Sequence, residues 1–146
     1  MKSICIVCLI VLSASIALAQ ARNSDRCEVA VAATNPKENV PFGKFTTVLA
    51  EEELTTKAFR LPGTRLFIVA SVFYTDESMA SEKGSDSVML ELALSTGQKR
   101  AVLHSLSWAE AEMQLKDFEV GRVTMLVKSG ARPQLVIMEC RKDVRH

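Results

Sequence analysis

Residues 65–75 read Arg-Leu-Phe-Ile-Val-Ala-Ser-Val-Phe-Tyr-Thr, and this stretch decides the fold class. It is a nearly continuous run of β-branched and aromatic residues, the types that strands favour. A strand with one face in water alternates apolar and polar residues, whereas an unbroken apolar run is typical of a strand covered on both faces. The turn dipeptide Pro62-Gly63 precedes the run. We therefore predict a strand here that is covered on both faces.

The segments on either side repeat the strand pattern. Ser87 to Ser95 alternates along its length, and Arg100 to Leu106 alternates again after the turn at residues 96–98. Further strand candidates, divided by turn residues, are residues 27–32, 45–49, 54–61, 119–128 and 133–140. About seven to nine short strands at about ten-residue intervals predict an all-β protein, either a single antiparallel β-sandwich or a small barrel.

The stretch from Trp108 to Phe118 is compatible with two structures. Ser107 and Glu110 have the spacing of a helix capping box, and apolar residues recur at helical spacing. Residues 109–116, however, alternate without a fault, which is the period of a strand. We favour a strand because both flanking segments are predicted strands. A short helix near residues 107–116 is the alternative.

Residues 1–19 have the pattern of a secretory signal peptide. Lys2 supplies the positive start, Ile4 to Leu12 is an unbroken apolar run, and Ala17-Leu18-Ala19 offers the small residues that signal peptidase requires. The apolar stretch is shorter than the about 20 residues of a membrane-spanning helix. The sequence thus predicts a secreted protein, extracellular or periplasmic, without stable membrane insertion after cleavage.

Cleavage before Gln20 is our first choice, and cleavage before Arg22 is the alternative. Residues 20–146 then form a single β domain, since no low-complexity linker divides them. The end of the chain, Arg141 to His146, is short and mixed in charge, and we predict it to be a disordered tail.

The charge balance excludes further classes of protein. Lys and Arg number 18 against 17 Asp and Glu, and Lys2 would leave with the signal peptide, so the mature chain is neutral. Nucleic-acid binders carry a marked basic excess, which argues against a nucleic-acid partner. An apolar content of 48% argues against a disordered chain.

Two of the four cysteines, Cys5 and Cys8, lie within the predicted signal peptide. Cys27 and Cys140 remain, near opposite ends of the mature chain. An even cysteine count in an exported protein predicts a disulfide, with two buried thiols as the alternative. If the first and last strands are neighbours, this disulfide joins the chain ends.

Residues 76–86 form a polar loop with four carboxylates. They are Asp76, Glu77, Glu82 and Asp86. Loops at the end of a sandwich can gather the oxygens that calcium requires. The spacing differs from that of the twelve-residue calcium loop, and Lys83 adds an opposing charge. We therefore treat these four as a candidate binding loop and predict neither a metal nor a cofactor.

The sequence contains no other set of residues with the pattern of a catalytic site. Glu110 and Glu112 would share a strand face, but a retaining glycosidase needs two carboxyls beside a sugar site with aromatic platforms, and aromatic residues make up only 5% of the chain. His104 lies beside Ser105, yet no Gly-x-Ser-x-Gly elbow is present. We predict no catalytic residues.

These observations favour an exported, non-catalytic β domain that acts as a protein-interaction or structural module, with an unknown protein partner. Two alternatives stay open. One is a small β-barrel carrier of an apolar ligand, whose wall would include the methionines. The other is a small secreted hydrolase that uses the loop from Asp76 to Asp86.

Overall fold

The computed structural model describes residues 25–35, 38–49, 53–75, 86–98, 107–117, 119–128 and 133–143. Within these ranges, eight strands form two four-stranded antiparallel sheets, and no helix is present. The strands are β1 (Arg26–Asn35), β2 (Glu38–Val48), β3 (Leu54–Arg60), β4 (Phe67–Thr75), β5 (Ser87–Ser95), β6 (Ser107–Gln114), β7 (Val120–Val127) and β8 (Gln134–Asp143). The prediction of an all-β, antiparallel fold is confirmed.

The two sheets stack as a β-sandwich. Sheet I has the order β2-β1-β8-β7, and sheet II has the order β3-β4-β5-β6. The chain crosses from sheet I to sheet II between β2 and β3, and it returns between β6 and β7. Because the described residues form no main-chain ladder at either crossing, the fold is a sandwich and not a closed barrel.

Strand β4 contains most of the apolar run of residues 65–75. Its five consecutive residues Ile68 to Val72 are all buried. Successive side chains of a strand point to opposite faces, so both faces of β4 are covered. The prediction for residues 65–75 is therefore confirmed, with the strand beginning at Phe67.

Residues 107–114 form strand β6, so the helical alternative is wrong. Main-chain pairing with β5 fixes the register, with Ala109 opposite Leu92 and Ala111 opposite Leu90. Ala109, Ala111 and Met113 pack against the core. Helical periodicity would not bury every second residue, whereas the pleat of a strand does. The alternation of apolar and polar residues over 109–116 was therefore a better guide to this segment than its helix propensity.

The core lies between the inner faces of the two sheets. Its buried residues come from β1, β4, β5, β7 and β8, with Leu49 and Leu61 at strand ends. The largest fully buried side chains include Leu49, Leu61, Ile68, Leu90, Leu92 and Met138. Phe45 and Phe59 pack against this core from β2 and β3. Each sheet therefore contributes alternate residues to one shared interior.

A disulfide joins Cys27 of β1 to Cys140 of β8. The two strands are antiparallel neighbours, and Val29 lies opposite Cys140, so the bridge runs diagonally across the pair. The Cα atoms are 5.6 Å apart, and neither cysteine has accessible surface. The predicted disulfide is confirmed, and the first and last strands are neighbours, so the bridge joins the two ends of the described chain.

Strand β8 extends further than the sequence predicted. Arg141, Lys142 and Asp143, which we placed in a disordered tail, continue the ladder with β1. Lys142 lies at the end of the sandwich, where its Nζ contacts Asp25 Oδ2 at 3.0 Å and donates to the Leu115 carbonyl at 3.1 Å. Pairing with a neighbouring strand, which local composition does not report, is the reason for the difference. Residues 144–146 lie outside the described ranges.

Candidate functional site

The predicted binding loop is described only at its end. Asp76, Glu77 and Glu82 lie outside the described residues, as does the predicted signal peptide. Asp86 immediately precedes β5, and its carboxylate accepts a hydrogen bond from the Tyr74 hydroxyl at 2.7 Å. Its main-chain carbonyl also accepts from the Leu115 N–H at 2.9 Å. Asp86 therefore anchors the start of β5.

The part of the chain that the structure describes holds no group of three or more His, Cys, Asp or Glu side chains suited to a metal ion. Cys27 and Cys140 are bonded to each other, so neither has a thiol for nucleophilic chemistry. His104 falls outside the described ranges. Across those same ranges, we find no helix with the length and apolar character needed to cross a membrane.

Glu110 and Glu112 do share a strand face, as predicted, and both are exposed on β6. A third carboxylate, Glu91 of β5, lies opposite Glu110 in the ladder. Glu91 is only 1% exposed, although its side chain carries a carboxyl group. A substrate in solvent can therefore reach Glu110 and Glu112 but not Glu91.

The outer face of sheet I combines charged, small and large apolar side chains. We define it by the side chains of sheet I that point away from sheet II. Its two central strands contribute Glu28, Ala30, Ala32 and Thr34 from β1, and Leu135, Ile137, Glu139 and Arg141 from β8. The alternate residues of both strands, including the two cysteines, fill the core.

One half of the outer face is charged. Arg122 of β7 lies opposite Glu139, and its Nε donates to Oε1 of that carboxylate at 2.8 Å. Lys44 of β2 flanks Ala30 on the other side. An open depression of about 540 Å³ lies over this part of the face, with the small side chain of Ala30 in its lining. Its lining includes Glu28, Ala30, Lys44, Thr46, Glu139 and Arg141.

The other half of the outer face is apolar. Leu126 of β7 and Leu135 of β8 are cross-strand partners, and they are 53% and 37% exposed. Ile137 and Ala32 continue the apolar surface along the next row of the sheet. Adjacent large apolar side chains in water are unfavourable at about 25 cal/mol per Å² of exposed surface, so this half favours contact with another apolar surface.

A cleft of about 380 Å³ lies at the end of the sandwich nearest this apolar half. Its lining residues are Ala33, Thr34, Val40, Pro62, Gly63, Pro133 and Gln134. The turn from Leu61 to Thr64 forms one wall, with Gly63 at φ 74° and the Thr64 N–H donating to the Leu61 carbonyl at 3.1 Å. Pro at the second and Gly at the third position are typical of a type II turn. This wall is therefore a hydrogen-bonded turn whose third residue has the positive φ that favours glycine.

The outer face of sheet I was not predicted from the sequence. A signal for it was present, since Ala30, Ala32 and Thr34 alternate with core residues of β1. Their significance depends on β8 being the neighbour of β1, and on its large residues standing beside the small ones. That pairing joins residues about a hundred positions apart, so no local pattern reports it.

Comparison with known proteins gives no family assignment. No protein-family model, no curated protein and no solved structure matches this chain. The interpretation of function therefore rests on the residues described above.

Proposed function

We propose that this protein is an exported, non-catalytic β-sandwich that binds a protein partner through the outer face of sheet I. The observation that carries the proposal is the exposed cross-strand pair Leu126 and Leu135. Protein interfaces combine an apolar centre with a polar rim. The outer face offers an apolar patch, and charged side chains adjoin that patch on one side.

The framework of the surface also supports binding. The face is built on four paired strands and not on loops, so its side chains are held in a fixed arrangement. The disulfide joins the two central strands of that face from the core side. A surface that is ordered before binding loses less conformational entropy when a partner docks.

The disulfide is consistent with an oxidising compartment. Together with the signal-peptide pattern of residues 1–19, it supports secretion. Export would expose the outer face of sheet I to extracellular or periplasmic proteins.

The packing of the interior favours this proposal over an apolar-ligand carrier. Val31, Leu90 and Met138, which belong to the core between the sheets, have no accessible surface. A void large enough for a ligand would leave accessible surface on the side chains that line it. The hydrolase alternative gains no support from Asp86, the described residue of its loop, because this carboxylate accepts a hydrogen bond from the Tyr74 hydroxyl.

Site-specific photo-crosslinking tests the proposal. A photoreactive amino acid replaces Leu126 in the exported, oxidised protein, which is then mixed with extracellular fluid of its source. The matched control carries the same amino acid at Glu112, an exposed position on β6 of the other sheet. We expect protein adducts at position 126 and none at position 112. Equal labelling at both positions, or no adduct at position 126, would overturn the proposal.

A further inference from the structure

We infer that the partner is a second copy of this chain, and that the outer faces of the two sheets I pack against each other. The two-fold axis runs between the two faces, parallel to β1 and β8 and above the line midway between these strands. This inference rests on the proposed function, that the outer face of sheet I binds protein. It goes further because it specifies the occupant and the register of contact.

The pairing of β1 with β8 gives the face four rows. The pairs are Glu28 with Arg141, Ala30 with Glu139, Ala32 with Ile137, and Thr34 with Leu135. A two-fold axis along the strands exchanges the positions of β1 and β8 without shifting the rows. Each residue of β1 therefore lies over the residue of the second copy that corresponds to its own cross-strand partner. Such an interface is isologous and closes at the dimer.

Charge complementarity supports this arrangement. Glu28 lies over Arg141 of the second copy, and Arg141 lies over the second copy's Glu28, so one row makes two opposite-charge contacts. Both side chains are exposed, and no ion pair of either one is found within the described part of the chain. Their charges are therefore available to a docked surface.

Size complementarity follows from the same rows. β1 presents small or short side chains at Ala30, Ala32 and Thr34, whereas β8 presents longer ones in the same rows. Ile137 of one copy thus meets Ala32 of the other, and Leu135 meets Thr34. Large side chains opposite small ones allow two sheet faces to interdigitate at the usual spacing of about 10 Å.

The row of Ala30 has an excess of positive charge that Glu139 offsets. In this row, Lys44 of one copy lies over Arg122 of the other. Glu139 of the second chain enters the depression over Ala30, beside Lys44. Its carboxylate, which already pairs with Arg122 of its own chain, then lies between the two cations. The depression of about 540 Å³ provides the space.

The area of the face suits a weak dimer. Four strands about 4.8 Å apart, each about eight residues long at about 3.3 Å per residue, span roughly 500 Å². Two copies together bury roughly 1,000 Å², near the lower limit for a specific interface. We therefore expect a dimer whose population rises with protein concentration.

Two charge-reversal variants, measured alone and as a mixture, test the inference. Sedimentation equilibrium of the oxidised, exported protein measures the association. Glu28→Arg places like charges opposite each other at two points of the homodimer, and Arg141→Glu does the same. We expect each variant to associate at least about a hundredfold more weakly than the wild type, because juxtaposed like charges cost several kcal/mol. In an equimolar mixture of the two variants, each reversed residue meets an opposite charge, so heterodimers should form.

The mixture separates contacts between chains from those within one chain. Residues 28 and 141 are also neighbours within each sheet, and that pair stays like-charged in both variants. Only an interface in the inferred register is restored by mixing. Ala32→Trp is a second, uncharged test, because the larger side chain occupies the space of Ile137 and should abolish association. Glu112→Arg, on the exposed face of β6, is the control and should leave association unchanged.

Two results would overturn the inference. One is a wild-type protein that stays monomeric up to about 1 mM. The other is a mixture of the reversed variants that stays monomeric while the wild type dimerises. If the wild type is monomeric and crosslinks at position 126 to a different protein, the proposed function stands and the second copy is not the partner. If position 126 crosslinks to nothing, the proposed function fails as well.

Discussion

Gly43 of β2 lies directly beneath the ring of Phe59 of β3, and a Cβ atom at residue 43 would stand 2.6 Å from two ring carbons. This contact lies where the chain crosses from sheet I to sheet II. The ring is held in place, since it stacks on Phe45 at 6.2 Å and meets Phe42 edge-on at 6.5 Å. Glycine therefore allows the two sheets to approach on this side.

Gly43→Ala should lower the free energy of unfolding by about 2 kcal/mol, because the added methyl group overlaps a ring that cannot move away. The entropic advantage of alanine over glycine in a strand, about 0.5–1 kcal/mol, offsets only part of this cost. Denaturation by urea measures the change. Gly97→Ala is the control, as no atom lies within 4 Å of its added Cβ. Equal stability of both variants would contradict this account.

Gly121→Ala should destabilise less than Gly43→Ala. On the opposite side of the sandwich, its Cβ would meet Met113 Sδ and Cε, the flexible end of an unbranched side chain, and Leu90 Cδ1 at 3.1 Å. Methionine adapts to irregular space, so we expect a loss of about 1 kcal/mol. Met113→Ala should relieve the overlap, and a double-mutant cycle measures the coupling. Additive effects would argue against the contact.

Reduction of the disulfide should strongly destabilise the fold. Cys27 and Cys140 are 113 residues apart in sequence, and closing a loop of that length restricts the unfolded chain by about 4–5 kcal/mol. The double variant Cys27→Ala/Cys140→Ala should unfold at a correspondingly lower urea concentration. A thiol titration of the native oxidised protein should find no free thiol in residues 20–146. Two free thiols there would contradict the bridge.

Lys142→Met should lower stability by about 1–2 kcal/mol. The ammonium group contacts Asp25 and donates to the Leu115 carbonyl, and methionine keeps the aliphatic stem while removing both interactions. Thermal unfolding monitored by circular dichroism measures the loss. Lys57→Met, at an exposed position of β3, is the matched control and should change little. A similar loss of stability in both variants would show that the two contacts of Lys142 do not stabilise the fold specifically.

Trp108 should report the strand structure of β6. It is the only tryptophan, and it is 46% exposed on the face of β6 that points away from the core. We expect red-shifted fluorescence that acrylamide quenches efficiently in the native protein. A blue-shifted, protected emission would instead indicate a buried side chain and contradict the place of Trp108 on the outer face of β6.

The accuracy of the sequence predictions differed with the range of the interactions involved. The buried strand β4 and the alternating strand β5 were predicted because their periodicity is carried by consecutive residues. The C-terminal end of β8 was misplaced because the strand structure of Arg141 to Asp143 depends on pairing with β1. The alternation of β5 places Glu91 on the face away from the apolar row, but its burial follows from tertiary packing.

By itself, the sequence determined the all-β class, the alternation that separates core from surface, and the two cysteines that form the disulfide. These properties follow from local periodicity and from the number of cysteines, and neither depends on which strands pair with each other. Tertiary structure alone decided the strand order of each sheet, the glycine contacts at Phe59 and Met113, and the rows of the outer face. Each of these depends on the register between distant strands, in which a shift of one residue would turn every side chain to the opposite face.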